Sequence, residues 1–473
     1  MNPLTRKKPE MHPLPPEFLR AIRDRFDPQF STSESADLTH YGRDATTVFT
    51  PSPSIVVFPR STDDVVRFIK LCSQHKIAVV PSGGRTGLAG GAVAANGEAI
   101  LSFEKMNQIG PIDLPSRTLH VQAGAVTEAV HQYCAPHGLT WPVDFASKGS
   151  SQVGGNIATN AGGVRVIADG LTRNWVLGLQ VVTMAGDVLE LNGALEKNNT
   201  GLDLRQLFIG TEGTLGIITE ATLKLQKTHT ESSVLLFALS SLEKVLELFG
   251  QAKAAPFQIY AFEMFTDVCV EVVTRRLGLK QPFTAASDFY VLLECSLPSD
   301  SPTLGEWAEK ILSSGSVQDG ILAQSTKESR EFWKYRESIS ESLSREGRVH
   351  KNDISVPVAA LQGFTSRLTT LFQSENLKFY IYGHIGDGNI HVNILKPDSM
   401  TDSIFSQQCQ TLDQKIFSLL KEFHGSVSAE HGIGLLKKAA LSFTRTPAEI
   451  AYLRGIKAVL DPQNLLNPGK IFD

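Results

Sequence analysis

The sequence predicts an α+β protein of two or three domains, and three observations carry that expectation. Its 473 residues exceed what a single core organises at roughly 150 residues per domain. Three glycine-rich segments interrupt apolar strands between residues 81 and 219. Beyond about residue 228 the glycines thin out, and alternating apolar strands such as SSVLLFALS and DFYVLLECS are separated by helical stretches such as LEKVLELFGQAK. That last pattern is the one of an antiparallel sheet flanked by helices.

Charge and composition narrow the function. The 45 Lys plus Arg against 49 Asp plus Glu give a formal charge of −4, with 42% apolar residues. Such a chain folds and carries no basic excess for a nucleic acid, so a small molecule bound between or within domains is expected. The five cysteines, Cys72, Cys134, Cys269, Cys295 and Cys409, lie apart and form no CxxC pair. A disulfide framework and a zinc knuckle are therefore not indicated, and a reducing compartment fits. The N-terminus, MNPLTRKKPEMHPLPPEFLR, lacks the apolar stretch of an export signal, and no run of about 20 apolar residues occurs. A cytoplasmic protein is expected, peripheral to a membrane if it touches one, or a mitochondrial-matrix protein in a eukaryote.

In chain order, residues 1–50 are polar and Pro-rich with one helix around PEFLRAIRDRF. SIVVFPR reads as a strand, and TDDVVRFIKLCSQHK as a helix that Thr62 caps and that presents Val65, Val66, Ile69 and Leu71 on one face. IAVVPSGG is a short buried strand running into PSGGRTGLAGG, residues 81–91, where five of eleven residues are Gly. Without β-carbons, successive amides of such a loop can converge on a phosphate. The stretch matches neither GxGxxG nor GxxxxGK[ST], and taken alone reads equally as a glycine-rich turn. GSSQVGGNIATNAGG follows at 149–163, then two strands in WVLGLQVVTMAGDVLEL joined at Ala185-Gly186-Asp187, then LFIGTEGTLGIITEATLKL. One extended cofactor crossing all three stretches is more economical than three unrelated turns.

PSGGRTGLAGG, GGNIATNAGG and GTEGTLGIITEATLKL resemble the FAD loops of the vanillyl-alcohol oxidase, or PCMH-type, flavoprotein superfamily. The resemblance covers residues 51–227 and implies a PCMH-type FAD-binding domain there. It places the pyrophosphate against Ser82, Gly83, Gly84, Arg85, Thr86 and Gly87, and further FAD contacts at Ser151, Gly155, Asn156, Asn160 and Ala161. The adenine side falls on Glu212, Gly213, Gly216, Ile217 and Ile218. The closing segment IKAVLDPQNLLNPGKIF resembles the family's C-terminus, which implies Asn467 near the flavin. No His stands in the first loop, so the implied FAD is noncovalent. Residues 1–50 would then pack on this domain, 228–430 form a substrate-binding cap domain, and 431–473 return to the FAD domain.

The second informative region is KFYIYGHIGDGNIHVNIL, two alternating strands around Gly-Asp-Gly-Asn. Asp387-Gly388 as a two-residue turn would pair residues whose numbers sum to 775, so that His384 faces His391 with Asn393 further along the same face. Opposed β-carbons about 4.5–5.5 Å apart suit two imidazoles converging on one ion. SAEHGIGLLKK adds Glu430 and His431. Two His and a carboxylate can bind Zn²⁺, Mn²⁺ or Fe²⁺ and leave room for substrate oxygens.

HIGDGNIH with EHGIG resembles the substrate domain of FAD-linked D-2-hydroxyacid dehydrogenases, a family that includes enzymes for D-2-hydroxyglutarate and D-lactate. The resemblance implies a divalent metal, Zn²⁺ first, on His384, His391 and Glu430, with His431 as general base. An imidazole with a pKa near 6.5 suits that role at neutral pH. In EFWKYRESISESLSREGRVHKNDISVP, Arg336 and Ser340 stand four apart on one helix face and Lys351 follows the Gly347 break. By pattern this is a charged, solvated helix; by resemblance Arg336, Ser340 and Lys351 hold a distal carboxylate, with Asn393 at the substrate as well. Position 352 is Asn where an aromatic is common in the family.

The expected activity is oxidation of a D-2-hydroxy acid, D-2-hydroxyglutarate or D-malate, to the 2-oxo acid, with an electron-transfer flavoprotein or a quinone draining the flavin. A D-lactate or glycolate dehydrogenase is the alternative within the class. A flavoprotein subunit without turnover and a metal-independent oxidase are alternatives outside it. Monomer and homodimer both stay open.

Overall fold

The computed structural model describes residues 14–472 except 47, 230 and 376. The N-terminal residues on which the leader-free reading rests, 1–13, lie outside the described residues. The chain divides into two units. The first comprises the chain up to Gly163, then Leu171–Thr228, then Glu430 onward; the second comprises Val164–Gly170 and His229–Ala429.

In the first unit, a small sheet runs in the order Ser31–Thr32, Ile55–Val57, Ala99–Ser102, Val79–Ser82. Its last three strands are parallel and, Ser82 and Ser102 apart, apolar, as is usual for strands covered on both faces. An antiparallel sheet follows in the order Ile109–Asp113, Thr118–Gln122, Ile217–Lys224, Val176–Val182, Val188–Leu191. One core joins them, including Val57, Val79, Leu119, Trp141, Val181 and Leu223, and Phe18 and Ile22 of the helix Pro16–Arg25 enter it. The helix Thr62–His75 buries Val65, Phe68, Ile69, Leu71 and Cys72. Its cap is Ser61 rather than Thr62: Ser61 is extended and its hydroxyl accepts the Asp64 N–H, whereas Thr62 is already the first helical residue.

The C-terminal helix Pro447–Leu460 opens with a reciprocal Thr446–Glu449 capping box. Its buried Lys457 donates to Asp461, to Thr214 O at 2.8 Å and to Leu466 O at 2.6 Å. Those bonds fix the tail beside the strand Val79–Ser82, where Leu466 bridges Val79.

The second unit is built on a seven-stranded antiparallel sheet. Its order is Asp319–Leu322, Ser233–Leu239, Phe289–Cys295, Ile259–Thr266, Phe379–His384, Asn389–Leu395, Val349–Ser355. Helices pack on it around Phe265, Val270, Tyr290, Ile339 and Leu343. The histidine hairpin is present, but its register differs from the expected one. Tyr382 pairs with His391 and Tyr380 with Asn393, so paired numbers sum to 773. The connection has four residues, 385–388, because tertiary contacts shape it. A β-carbon on Gly386 would meet Ile167 at 2.5 Å, and Gly388, at φ +80°, would meet Val356 O at 2.0 Å. A shift of two keeps every side chain on its face. The helix carrying Arg336 also departs from expectation: it ends at Glu337, Ser338 turns with ψ near 0°, and a second helix, Ile339–Glu346, carries Ser340.

Among the described residues no helix is long and apolar enough to cross a membrane.

Candidate active site

In the first unit the predicted FAD residues converge from three stretches. Ser82 ends its strand fully buried. Gly84 admits no β-carbon, which would lie 2.0 Å from Ser150 O, so the loop can pass the 149–163 stretch only as glycine. Arg85 takes a left-handed conformation at φ +59°. Its guanidinium lies over the Tyr41 ring at 4.5 Å and 3.0 Å from His40 Nε2. Thr86 is half-buried, and Gly87 O accepts the Ala45 N–H at 3.1 Å. A cavity of about 590 Å³ is lined here by Gly84, Arg85, Ser150 and Gln152 together with His40 and Arg43.

Ser151 and Asn156 are buried and joined through Thr127, at 2.7 Å each. Gly155 faces open space within 4 Å of where its β-carbon would stand. Asn160 accepts the Arg173 N–H through Oδ1 at 3.0 Å, and Ala161 O accepts from Thr172. Gly213 is left-handed at φ +70°. Gly216 is packed so closely that a β-carbon would meet Val181 at 2.5 Å. Ile217 and Ile218 are buried at the start of their strand.

Asn467, 1% exposed, donates to Gly91 O at 3.0 Å and Glu212 O at 2.7 Å. Its Oδ1, like Ser82 Oγ and Gln152 Oε1, is buried without a protein hydrogen-bond partner. Buried acceptors and hydroxyls of this kind are costly unless a ligand or water meets them. Gln152 also lines the cavity with Gly84 and Gly124, and such a set fits a polar, extended cofactor such as FAD.

The Glu212 side chain also has protein partners of its own. The carboxylate accepts the Ile433 N–H at 2.7 Å and the Gly434 N–H at 2.8 Å. Burial pushes its pKa above the ordinary carboxylate range, against the pull of those two amides. What it grips is the segment that begins with Glu430 and His431.

In the second unit the hairpin gathers a polar cluster on one sheet face. His384 and His391 stand diagonally across the strand pair, rings 5.4 Å apart. His384 Nδ1 is 2.7 Å from Glu263 Oε1, its direct cross-strand partner. Glu263 Oε2 accepts from Arg336 Nε at 2.7 Å. Burial alone would raise the Glu263 pKa; the adjoining His384 and Arg336 outweigh it and hold the carboxyl below its usual range. An ionised carboxylate only accepts, so the proton of that bond sits on Nδ1 and Nε2 is the nitrogen that can coordinate. Arg336 Nη2 lies 3.4 Å from that Nε2, at the long limit of a hydrogen bond.

His391 pairs across the ladder with Asp353, Nδ1 to Oδ1 3.8 Å. Glu430 follows directly on Ala429, whose N–H donates to Asp353 O at 3.3 Å. The donor chemistry, two imidazoles each with a carboxylate close by, fits a divalent transition metal.

Around Tyr382 the predicted substrate residues assemble. The Arg336 guanidinium lies 4.9 Å from the Tyr382 ring centre. The Tyr382 hydroxyl is bonded to Ser340 and accepts from Asn393 Nδ2 at 2.8 Å. Lys351 Nζ donates to Ser340 Oγ at 3.0 Å. Burial pushes the Tyr382 phenol up to about 12 and lowers the Lys351 amine from its usual range. Asn352 points to the opposite face, donating to Asp413 Oδ1 at 3.0 Å, so its departure from the aromatic falls away from this cluster.

The reading from sequence missed Glu263 and Asp353, and gave Tyr382 no role. The available signal was a single acid in the otherwise apolar strand IYAFEMFT, since a carboxylate there must have partners.

Residues 53–192 match the family model for the FAD binding domain, and residues 228–471 match that for the C-terminal domain of FAD linked oxidases. The chain belongs to the FAD-linked oxidases and is a FAD-dependent dehydrogenase acting on CH–OH donors. It is 46% identical over 445 residues to a D-2-hydroxyglutarate dehydrogenase of Xanthomonas citri pv. viticola, covering 93% of this chain and 94% of that protein. It is 43% identical over 461 residues to the D-2-hydroxyglutarate dehydrogenase of Stutzerimonas stutzeri, covering 97% and 99%. The mitochondrial enzyme of that name from Bos taurus is 38% identical, covering 89% and 77%. Among solved structures, the 4-ethylphenol oxidase of Gulosibacter chungangensis superposes with a TM-score of 0.74 at 17% identity, covering 96% of each chain. A p-cresol methylhydroxylase does so at 0.73 and 14%, covering 97% and 96%. At those identities the likeness is one of fold, and the PCMH-type expectation is borne out.

Proposed function

We propose that this chain oxidises D-2-hydroxyglutarate, and by the same chemistry D-malate, to the 2-oxo acid, with noncovalent FAD and a divalent cation, Zn²⁺ first, as cofactors. The observation that carries the choice of a dicarboxylate is the cluster of Arg336, Ser340 and Lys351 on the face that also bears His384, His391 and Asn393. The relatives' shared name supports it. Residues 51–227 with the returning 431–473 segment hold FAD, and 228–430 binds the acid.

His384, His391 and Glu430 are the proposed metal ligands; Ser82–Gly87, the 151–161 stretch and Asn467 the proposed flavin contacts. When bound, FAD supplies the acceptor for the C2 hydride and the cation a Lewis acid that makes the hydroxyl more acidic. His431 takes the hydroxyl proton on a neutral imidazole nitrogen. Arg336 and Lys351 hold the distal carboxylate with charge-assisted bonds, and Ser340 adds a hydroxyl. Asn393 and Tyr382 orient the near end. The C2–H electron pair leaves, the C2–O double bond forms, and His431 keeps the proton until release. An electron-transfer flavoprotein or a quinone is the proposed oxidant of the flavin.

The test is anaerobic bleaching of the flavin by a panel of hydroxy acids, each enantiomer separately. Bleaching by D-2-hydroxyglutarate, and weakly or not at all by D-lactate, glycolate and the L-acids, is expected. Preference for a monocarboxylate returns the D-lactate or glycolate reading. No bleaching by any acid returns the subunit without turnover. Full activity after EDTA returns the metal-independent oxidase.

A further inference from the structure

We propose that Glu263 is a positioning residue, a single buried carboxylate that fixes the His384 ring for metal binding and the Arg336 fork for the acid at once; this rests on the metal reading above. Glu263 is fully buried, central in the apolar strand Ile259–Thr266. A carboxylate in that place is tolerated only if its oxygens are met. The two oxygens are engaged separately, Oε1 by His384 Nδ1 and Oε2 by Arg336 Nε, both at 2.7 Å.

A plain ion pair with Arg336 would leave Oε1 without a role, and an apolar pair of similar volume could replace it. The ladder instead sets Glu263 directly opposite His384, so the imidazole is held by both backbone register and side chain. The placing of His384 therefore depends on Glu263. Arg336, tied to the other oxygen, lies beside the Tyr382 ring.

The test uses the full-length FAD-loaded protein, stripped of metal with a chelator and titrated with Zn²⁺ against a chromogenic chelator. Glu263→Gln alone strands the Arg336 charge, so the deciding comparison is Arg336→Met against Glu263→Gln/Arg336→Met, which removes both charges. The double variant should bind Zn²⁺ about 10- to 100-fold more weakly than Arg336→Met, the usual effect of losing such a carboxylate. With Co²⁺ in place of Zn²⁺, its visible bands should shift while those of Arg336→Met stay at the wild-type positions. Equal affinity and equal spectra in the two variants would overturn the proposal and leave the metal reading standing. Wild-type protein that takes up no Zn²⁺, or His384→Ala that binds it normally, overturns both.

Discussion

The Glu212 carboxylate caps the backbone amides of Ile433 and Gly434, 221 and 222 residues further along the chain. It comes from a non-glycine residue in the left-handed region, φ +52°, and a β-carbon on Gly432 would meet its oxygen at 2.8 Å. The loop it grips begins two residues before, with the proposed base His431. Glu212→Ala should therefore lower kcat on the order of 100-fold, the cost of a misplaced catalytic group, while the ratio of flavin to protein stays near that of the wild type. Loss of flavin at unchanged kcat per flavin would instead make Glu212 a cofactor residue, as its sequence context implies.

Lys351 bears on the choice of acid. Lys351→Ala removes one charge-assisted bond of about 1.5–3 kcal/mol, so KM for D-2-hydroxyglutarate should rise about 10- to 100-fold with little change for D-lactate. Equal changes for both acids in steady-state assays would place Lys351 outside the carboxylate clamp.

Lys470 gives a pH signature. It is 2% exposed, donates to Val93 O at 2.7 Å, and burial lowers its pKa to about 8, with Glu98, Asp44, Glu212 and Lys438 as the surrounding charges. A lysine with a lowered folded pKa binds fewer protons folded than unfolded between about 8 and its ordinary 10.5. Stability from this group therefore rises with pH across that window and is least below it, by on the order of 3 kcal/mol in all. Denaturant unfolding of wild type minus Lys470→Met should show that rise between pH 8 and 10.5; a flat difference would refute it.

Gly84→Ala should destabilise the protein by about 1–3 kcal/mol and weaken FAD retention, because the added carbon meets backbone at Ser150 rather than a side chain that could turn away. Gly155→Ala, with open space at that position, should leave the apoprotein as stable as wild type and differ only in flavin affinity. Thermal melts with and without added FAD distinguish the two.

How much of this was legible in the sequence depended on which contacts decide each feature. The shared face of His384 and His391 was readable because strand alternation survives a shift of two residues. The register itself was not, since Ile167 and Val356, distant in the chain, shape the 385–388 connection. The glycine stretches announced an extended ligand, yet the grip of Glu212 on Gly434 could not be read from a motif that spoke for adenine. Arg336, Ser340 and Lys351 were found by resemblance, while their meeting at Tyr382 needed the fold. Glu263 carries no local pattern, because its partners Arg336 and His384 lie 73 and 121 residues further along the chain.

The strand Val349–Ser355 faces two ways. Lys351 and Asp353 look toward the proposed substrate and metal residues, whereas His350 and Asn352 hold Asp413 of the helix Asp402–Glu422, at 2.8 and 3.0 Å. The proposed selectivity and the strength of the scaffold are thus written on alternate letters of one short word. A change at Lys351 can therefore be made without touching the two bonds that tie this strand to the helix behind it.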